Sequence, residues 1–300
     1  MLERALPRHR PQQIAAPAGE LFAARVGRLA IRSLYREVAL DGKPGLVGPT
    51  GNGSHPDMDF TTFMRSLQAL RGYFPAIAAC GLQRPGFAPL RALGIAAEAD
   101  MLAATAAVNT HRGAIFNLGL LCAALGVLQA EGAAISAQAA CAIVRRHWGR
   151  DILAGLSGLS ETTAGTPLSH GLFVARRDGS GGARQEAASG FPAALGVGLP
   201  AYRAALATTG DGELAAMQAL FALIAELEDT NLLWRGGRTG LDYGRRAAAD
   251  FLAAGGVLAA DWRARAADID RDFVARRLSP GGSADLLGIT LFLAELDGLA

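Results

Sequence analysis

Phe60-Thr61-Thr62-Phe63-Met64-Arg65-Ser66-Leu67-Gln68-Ala69-Leu70-Arg71-Gly72-Tyr73-Phe74-Pro75-Ala76-Ile77 is the stretch that decides the fold. Phe60, Phe63, Met64, Leu67, Leu70, Phe74 and Ile77 recur at helical spacing, and Arg65, Gln68 and Arg71 avoid their face. The pattern predicts one amphipathic helix with Asp57 placed to cap its start. Outward from it the same period recurs at about 20–40, 87–106, 113–131, 135–155, 184–206, 212–228, 241–254, 257–277 and 284–298. Strand-like alternation is nearly absent, and Gly171-Leu172-Phe173-Val174 is the one short candidate. Residues 1–18, rich in Pro, Arg and Gln, read as a mobile tail ahead of a domain over 19–300. The expectation is an all-α, single globular domain of roughly ten helices joined by Gly-rich polar loops. The longest irregular stretch, Gly158 to Gly182, is long enough to carry function.

Composition supports a buried helical core. Hydrophobic residues make up 51% of the 300 and charged ones 19%, and mean hydropathy is +0.23. Alanine supplies much of this, a helix former and a weak membrane signal. Between Arg112 and Glu131 no residue is charged, a length that could span a bilayer. Asn117 and Gln129 interrupt it and no second such run follows, so a central buried helix is expected and no membrane partner. Arg4, Arg8 and Arg10 precede no apolar segment, so a secretory signal is not expected and the cytoplasm is. Cys80, Cys122 and Cys141 lie in Ala/Leu-rich surroundings without metal-ligand spacing, and read as buried free thiols. A net charge of +2 and pI near 8.6 give no basic patch for nucleic acid. The basic residues are almost all arginine, and Lys43 is the only lysine.

The connections are chemically denser than the helices. Lys43-Pro44-Gly45-Leu46-Val47, Gly53-Ser54-His55-Pro56-Asp57-Met58-Asp59-Phe60, Asn109-Thr110-His111-Arg112-Gly113, Gly182-Ala183-Arg184-Gln185-Glu186-Ala187, Asp229-Thr230-Asn231-Leu232-Leu233-Trp234-Arg235-Gly236-Gly237 and Ser279-Pro280-Gly281-Gly282-Ser283-Ala284-Asp285 each set charge beside glycine. Glycine lets backbone N–H groups approach a ligand, helix starts favour anions, and carboxylates hold Mg²⁺. Together they point to a polyphosphate with a hard metal ion. Simpler readings stand beside these. Asp57 is as readily a helix cap as a ligand, and Asp285 reads first as an acid complementing a helix dipole. Arg184 and Glu186 alone fit a solvated face, and His111 alone a structural histidine. His9, His147 and His170 carry no assigned role. No P-loop or strand-borne G-x-G-x-x-G is present.

In order along the chain, these motifs resemble the triphosphoribosyl-dephospho-CoA synthase family. Glu37-Val38, the Lys43 and Gly53 runs, Val108-Asn109-Thr110-His111-Arg112-Gly113, Arg184 with Glu186-Ala187, Gly190-Phe191-Pro192, Asp229-Thr230-Asn231-Leu232-Leu233 and Ser279 to Leu287 carry the likeness. It covers about Glu20 to the C-terminus, and the order is more specific than any one motif. Gly48-Pro49 stands where the family often has Asp-Arg, Gln185 replaces a usual glycine, and Trp234 stands where histidine is common. Arg65-Ser66-Leu67, Ala69-Leu70-Arg71 and Tyr73-Phe74 favour the malonate decarboxylase branch over citrate lyase.

The resemblance implies a transferase that joins the anomeric carbon of ATP to the ribose 2′-hydroxyl of 3′-dephospho-CoA. Adenine leaves, the triphosphate stays, and the product serves an acyl carrier protein of malonate decarboxylase. Under it Lys43, Asn109, Arg112, Arg184 and Arg235 would bind substrate phosphates, and Asp57, Asp59 and Asp229 would hold Mg²⁺ or face the ribose. Glu37 or Glu186 would deprotonate the hydroxyl, and His111 would protonate adenine. A helical protein that only binds a CoA-like ligand and a helical nucleotide hydrolase are the competing readings.

Overall fold

Asp59, not Asp57, starts the helix that the apolar pattern announces. In the computed structural model, which describes residues 18–157 and 181–296, Asp59 accepts the Thr62 N–H, and the Thr62 hydroxyl reaches back to the Asp59 backbone. This reciprocal pair is a capping box with threonine at its third position. The expected single helix is two, α2 (Phe60–Leu70) and α3 (Tyr73–Gly81). Pro75 explains the break, since it has no N–H to give the Arg71 carbonyl and its ring crowds that turn.

Ten further helices complete the described residues: α1 (Ala18–Ala39), α4 (Phe87–Ala104), α5 (Arg112–Glu131), α6 (Ala137–Ser157), α7 (Gly182–Ala188), α8 (Leu199–Thr209), α9 (Gly212–Glu226), α10 (Thr230–Ala253), α11 (Trp262–Ala275) and α12 (Gly281–Ala294). Among them there is no strand. The tail at 1–17, the stretch at 158–180 and the strand candidate at 171–174 lie outside the described residues.

The uncharged helix α5 is the core, as expected. Leu118, Leu121, Cys122, Leu125 and Val127 are fully buried among α1, α3, α6 and α12. Each such aliphatic side chain contributes about 1.5–3 kcal/mol. Gly81 meets the Ala123 backbone and Gly126 meets Ala78, so α3 and α5 pack nearly backbone to backbone. A second apolar helix, α12, lies between α1, α9 and α5 with Leu286 to Leu293 buried. Cys122 and Cys141 are buried and Cys80 is only half-buried, and all three are free.

Two expected boundaries moved for a visible reason. The span 184–206 breaks at Gly190 and Phe191, both at positive φ, before a π-helical turn at Ala194–Gly198 leads into α8. The Asp229–Gly237 cluster is helix rather than loop, because Asp229 caps α10, which then kinks at Gly237.

Candidate active site

The only lysine of the chain is not on the surface. Lys43 is 3% exposed and Glu37 7%. The ammonium donates to Glu37 Oε1 at 2.6 Å and to the Glu37 carbonyl at 2.5 Å, so it also closes the end of α1. Lys43 is therefore the partner of Glu37 rather than an open phosphate grip. The loop beyond it is pinned to the far end of the chain. Gly45 donates its N–H to Asp270, and the Ser54 hydroxyl donates to the Leu278 carbonyl.

His111 begins α5 without capping it. Its Nδ1 pairs with the Ser66 hydroxyl of α2 at 2.7 Å, and Phe63 packs edge-on against the ring. Nε2 is buried with no partner. Burial, with the nearby charge of Lys43, pushes the imidazole down to about 3. A neutral ring can accept or donate a hydrogen bond but does not deliver a proton at neutral pH, which revises the acid role expected of His111.

Two residues on, Gly113 faces the carboxyl of Asp285. A Cβ at Gly113 would collide with Asp285 Oδ2, so only glycine admits this approach of α12 to α5. The Asp285 carboxyl has no hydrogen-bond donor among the described residues. Burial, with the negative charges of Glu37 and Asp229, pushes it up to about 8.

Asp229 is the opposite case. Fully buried, its Oδ1 accepts N–H bonds from Asn231 (2.8 Å), Leu232 (3.3 Å) and Gly282 (3.3 Å). Its Oδ2 accepts from the Ser283 N–H (2.7 Å) and hydroxyl (2.9 Å). Burial pushes this carboxyl up, and the Ser283, Asn231 and Leu232 donors pull it back. One carboxylate thus caps α10 and α12 together. A Cβ on Gly182, at the start of α7, would stand 3.3 Å from Thr230 Cγ2. The starts of α5, α7, α10 and α12 therefore adjoin one another at one end of the bundle, beside Glu37 and Lys43.

The other expected residues are dispersed around that end. Asp59 is engaged by Thr62, whose hydrogen bonds hold its carboxyl below the usual value. Asp57 is exposed and 3.8 Å from His55 Nδ1. With Asp229 saturated, the three acids form no metal cage, and among the described residues no trio of His, Cys, Asp or Glu does. Asn109 accepts the Arg112 N–H as a local cap. Arg112 pairs with Glu98 and leaves its Nε buried and unpartnered. Arg184, half-buried, is held below its ordinary value by burial and by Arg91, two cations without an acidic partner among the described residues. Glu186 accepts the Ala193 N–H at 2.7 Å, and burial raises its carboxyl. Arg235 donates to the Ser54 and Arg277 carbonyls and to His55 Nδ1. That leaves His55 Nε2 to donate to Ser279, and burial with Arg235 pushes this histidine down to about 4.

Ser66, Ser283 and Asp285 were not among the expected site residues. Ser66 lies on the apolar helix with no polar pattern to mark it. The Gly-Gly-Ser run before Asp285 was a signal, but the dipole reading absorbed it.

Among the described residues the fold is all helical, without a nucleotide-binding sheet, and the sequence carries no P-loop. The ATP:dephospho-CoA triphosphoribosyl transferase (CitG) family matches residues 23–300. A probable 2-(5''-triphosphoribosyl)-3'-dephosphocoenzyme-A synthase of Acinetobacter calcoaceticus is 44% identical over 92% of each chain. A 2-(5''-triphosphoribosyl)-3'-dephosphocoenzyme-A synthase of Klebsiella pneumoniae is 40% identical over 91% of each. No solved structure matches. The chain belongs to the ATP:dephospho-CoA triphosphoribosyl transferase family.

Proposed function

We propose that ATP and 3′-dephospho-CoA meet where α5, α7, α10 and α12 begin, and that the triphosphoribosyl group passes there to the 2′-hydroxyl with release of adenine. The observation that carries this is the meeting of four helix starts with the buried Glu37–Lys43 pair and the unpartnered Nε2 of His111. Helix starts attract phosphate, and a buried polar atom without a partner marks where a ligand atom belongs. Arg184 and the free Nε of Arg112 are the cations with capacity left for the triphosphate. Glu37, fixed by Lys43, is positioned to hold a ribose hydroxyl, and neutral His111 to hydrogen-bond a ribose or base atom.

The acids support Mg²⁺ carried on the triphosphate rather than a resident ion. Mg²⁺ bound through phosphate oxygens and water needs only one or two carboxylates, and Asp57 is the expected ligand with both oxygens open. The product's consumer on this reading is an acyl carrier protein, that of malonate decarboxylase by the Arg65–Phe74 pattern.

Incubation with Mg²⁺, ATP and dephospho-CoA should release adenine in step with loss of dephospho-CoA, read by chromatography. Adenine or phosphate released equally without dephospho-CoA would establish a hydrolase instead, and binding without release a carrier. CoA, whose 3′-phosphate stands beside the reacting hydroxyl, should not substitute.

A further inference from the structure

We propose that Asp285 is the catalytic carboxyl that gives a proton to the departing adenine and takes one back from the incoming 2′-hydroxyl. The assignment rests on the triphosphoribosyl-transfer reading of the site. The two aspartates at this end of the bundle differ in their hydrogen-bond donors. Asp229 has five donors and no spare lone pair facing a ligand. Asp285, two residues after Ser283, has none among the described residues, and its carboxyl lies on the bare Cα of Gly113. A side chain there would fill the place that the carboxyl occupies. Part of Asp285 remains open to solvent, so the group is reachable from outside.

The surroundings favour the neutral acid. Glu37 from α1 and Asp229 ahead of α10 are the charged groups that act on it, both negative, while the Lys43 ammonium is taken up by Glu37. A carboxyl near burial and near two other carboxylates keeps its proton at neutral pH. His111 is an independent sign of a ligand on this side: two residues before Gly113, it is 3% exposed and leaves Nε2 without a partner.

The step closes on one residue. The bond between C1′ of the ATP ribose and N9 breaks, and both electrons leave with adenine. The Asp285 O–H proton passes to that base. A lone pair of the 2′-oxygen of dephospho-CoA forms the new bond to C1′, and its proton goes to the Asp285 carboxylate. Asp285 ends as it began, and the products are triphosphoribosyl-dephospho-CoA and adenine.

The test compares wild type with Asp285→Asn. The variant should melt no lower than wild type and bind ATP within about threefold by calorimetry, yet release adenine more than about a hundredfold more slowly. The acid form should be lost as pH rises, so wild-type kcat/KM should fall above about pH 8. That limb should be missing in the variant. With a ribose 5-triphosphate bearing 4-nitrophenolate at C1′, a leaving group that needs no proton, the ratio of wild-type to variant rate should shrink to less than about tenfold. Adenine release by the variant within about threefold of wild type would overturn the assignment. So would an equal ratio with both leaving groups, or a wild-type profile flat through pH 10, which needs no variant at all. Absence of adenine release from the wild type would instead sink the transfer reading, and this assignment with it.

Discussion

Asp229→Asn separates a helix-joining carboxylate from a metal ligand. The change keeps the shape and leaves Oδ1 with its three N–H donors from Asn231, Leu232 and Gly282. It replaces Oδ2 by an NH₂ that faces the Ser283 N–H at 2.7 Å and hydroxyl at 2.9 Å. Both contacts to a charged acceptor are lost, at about 1.5–3 kcal/mol each, and the Ser283 N–H is left buried against another donor. The hydroxyl can rotate and recover part of its share. The expected loss is about 3–5 kcal/mol of folding stability, about a fifth or more of a typical domain's total. Urea unfolding followed by circular dichroism, with and without Mg²⁺, reads it directly. Because the two helix starts are what separates, the variant should also lose ATP binding in parallel with its stability. A variant within about 1 kcal/mol of wild type that nevertheless needs far more Mg²⁺ for adenine release would refute this reasoning and restore Asp229 as a metal ligand.

Three further outcomes follow from the same geometry. Lys43→Met leaves Glu37 charged and buried without its partner, at about 3–5 kcal/mol of stability; Lys43→Arg should recover only part, because a planar guanidinium does not fit where an ammonium meets a carbonyl and a carboxylate together. Both are read by urea titration. Gly113→Ala sets a Cβ against the Asp285 carboxyl and should cost about 1–3 kcal/mol while slowing adenine release; Gly72→Ala, whose added Cβ meets nothing, is the control and should be near neutral. Since the His111 ring is depressed to about 3 in the fold against 6.5 when free, its share of stability is complete above pH 6.5 and drains away as pH falls toward 3. Ring-proton NMR should show it uncharged at pH 5, and a midpoint near 6.5 would contradict its burial.

The core was legible and the site only partly so. Apolar residues at helical spacing announced α2 and α3, and the uncharged Arg112–Glu131 interval announced the central helix, because burial of one face is a local pattern. Asp57 read as the cap, but Asp59 takes that place through Thr62, three residues on, in a box written with threonine where glutamate is the usual sign. Asp229-Thr230-Asn231 read as a binding loop although aspartate before a helical run is itself a cap signal. Lys43, in a glycine- and proline-flanked turn, read as a phosphate-binding cation. Its burial depends on Glu37 and on the loop's docking to Asp270 and Leu278, which no local window contains. Asp285 and Gly113 belong to different helices and meet only through the fold.

On the proposed reading, that meeting would let a protein without a phosphate loop manage a triphosphate and a proton together. Each helix start presents N–H groups and a partial positive charge. Four starts side by side would repel one another if left bare, and Asp229 relieves this for α10 and α12 by accepting from both. On that reading this leaves the start of α5 as the anion's place, with the Arg184 guanidinium from the short α7 beside it. Asp285 borders that place but receives none of the donors. Burial raises both aspartates; five donors hold one of them back and nothing holds the other. On the proposed reading the same side chain is a structural anion at one position and a proton carrier at another, and the supply of hydrogen-bond donors, rather than position in a motif, sets the difference.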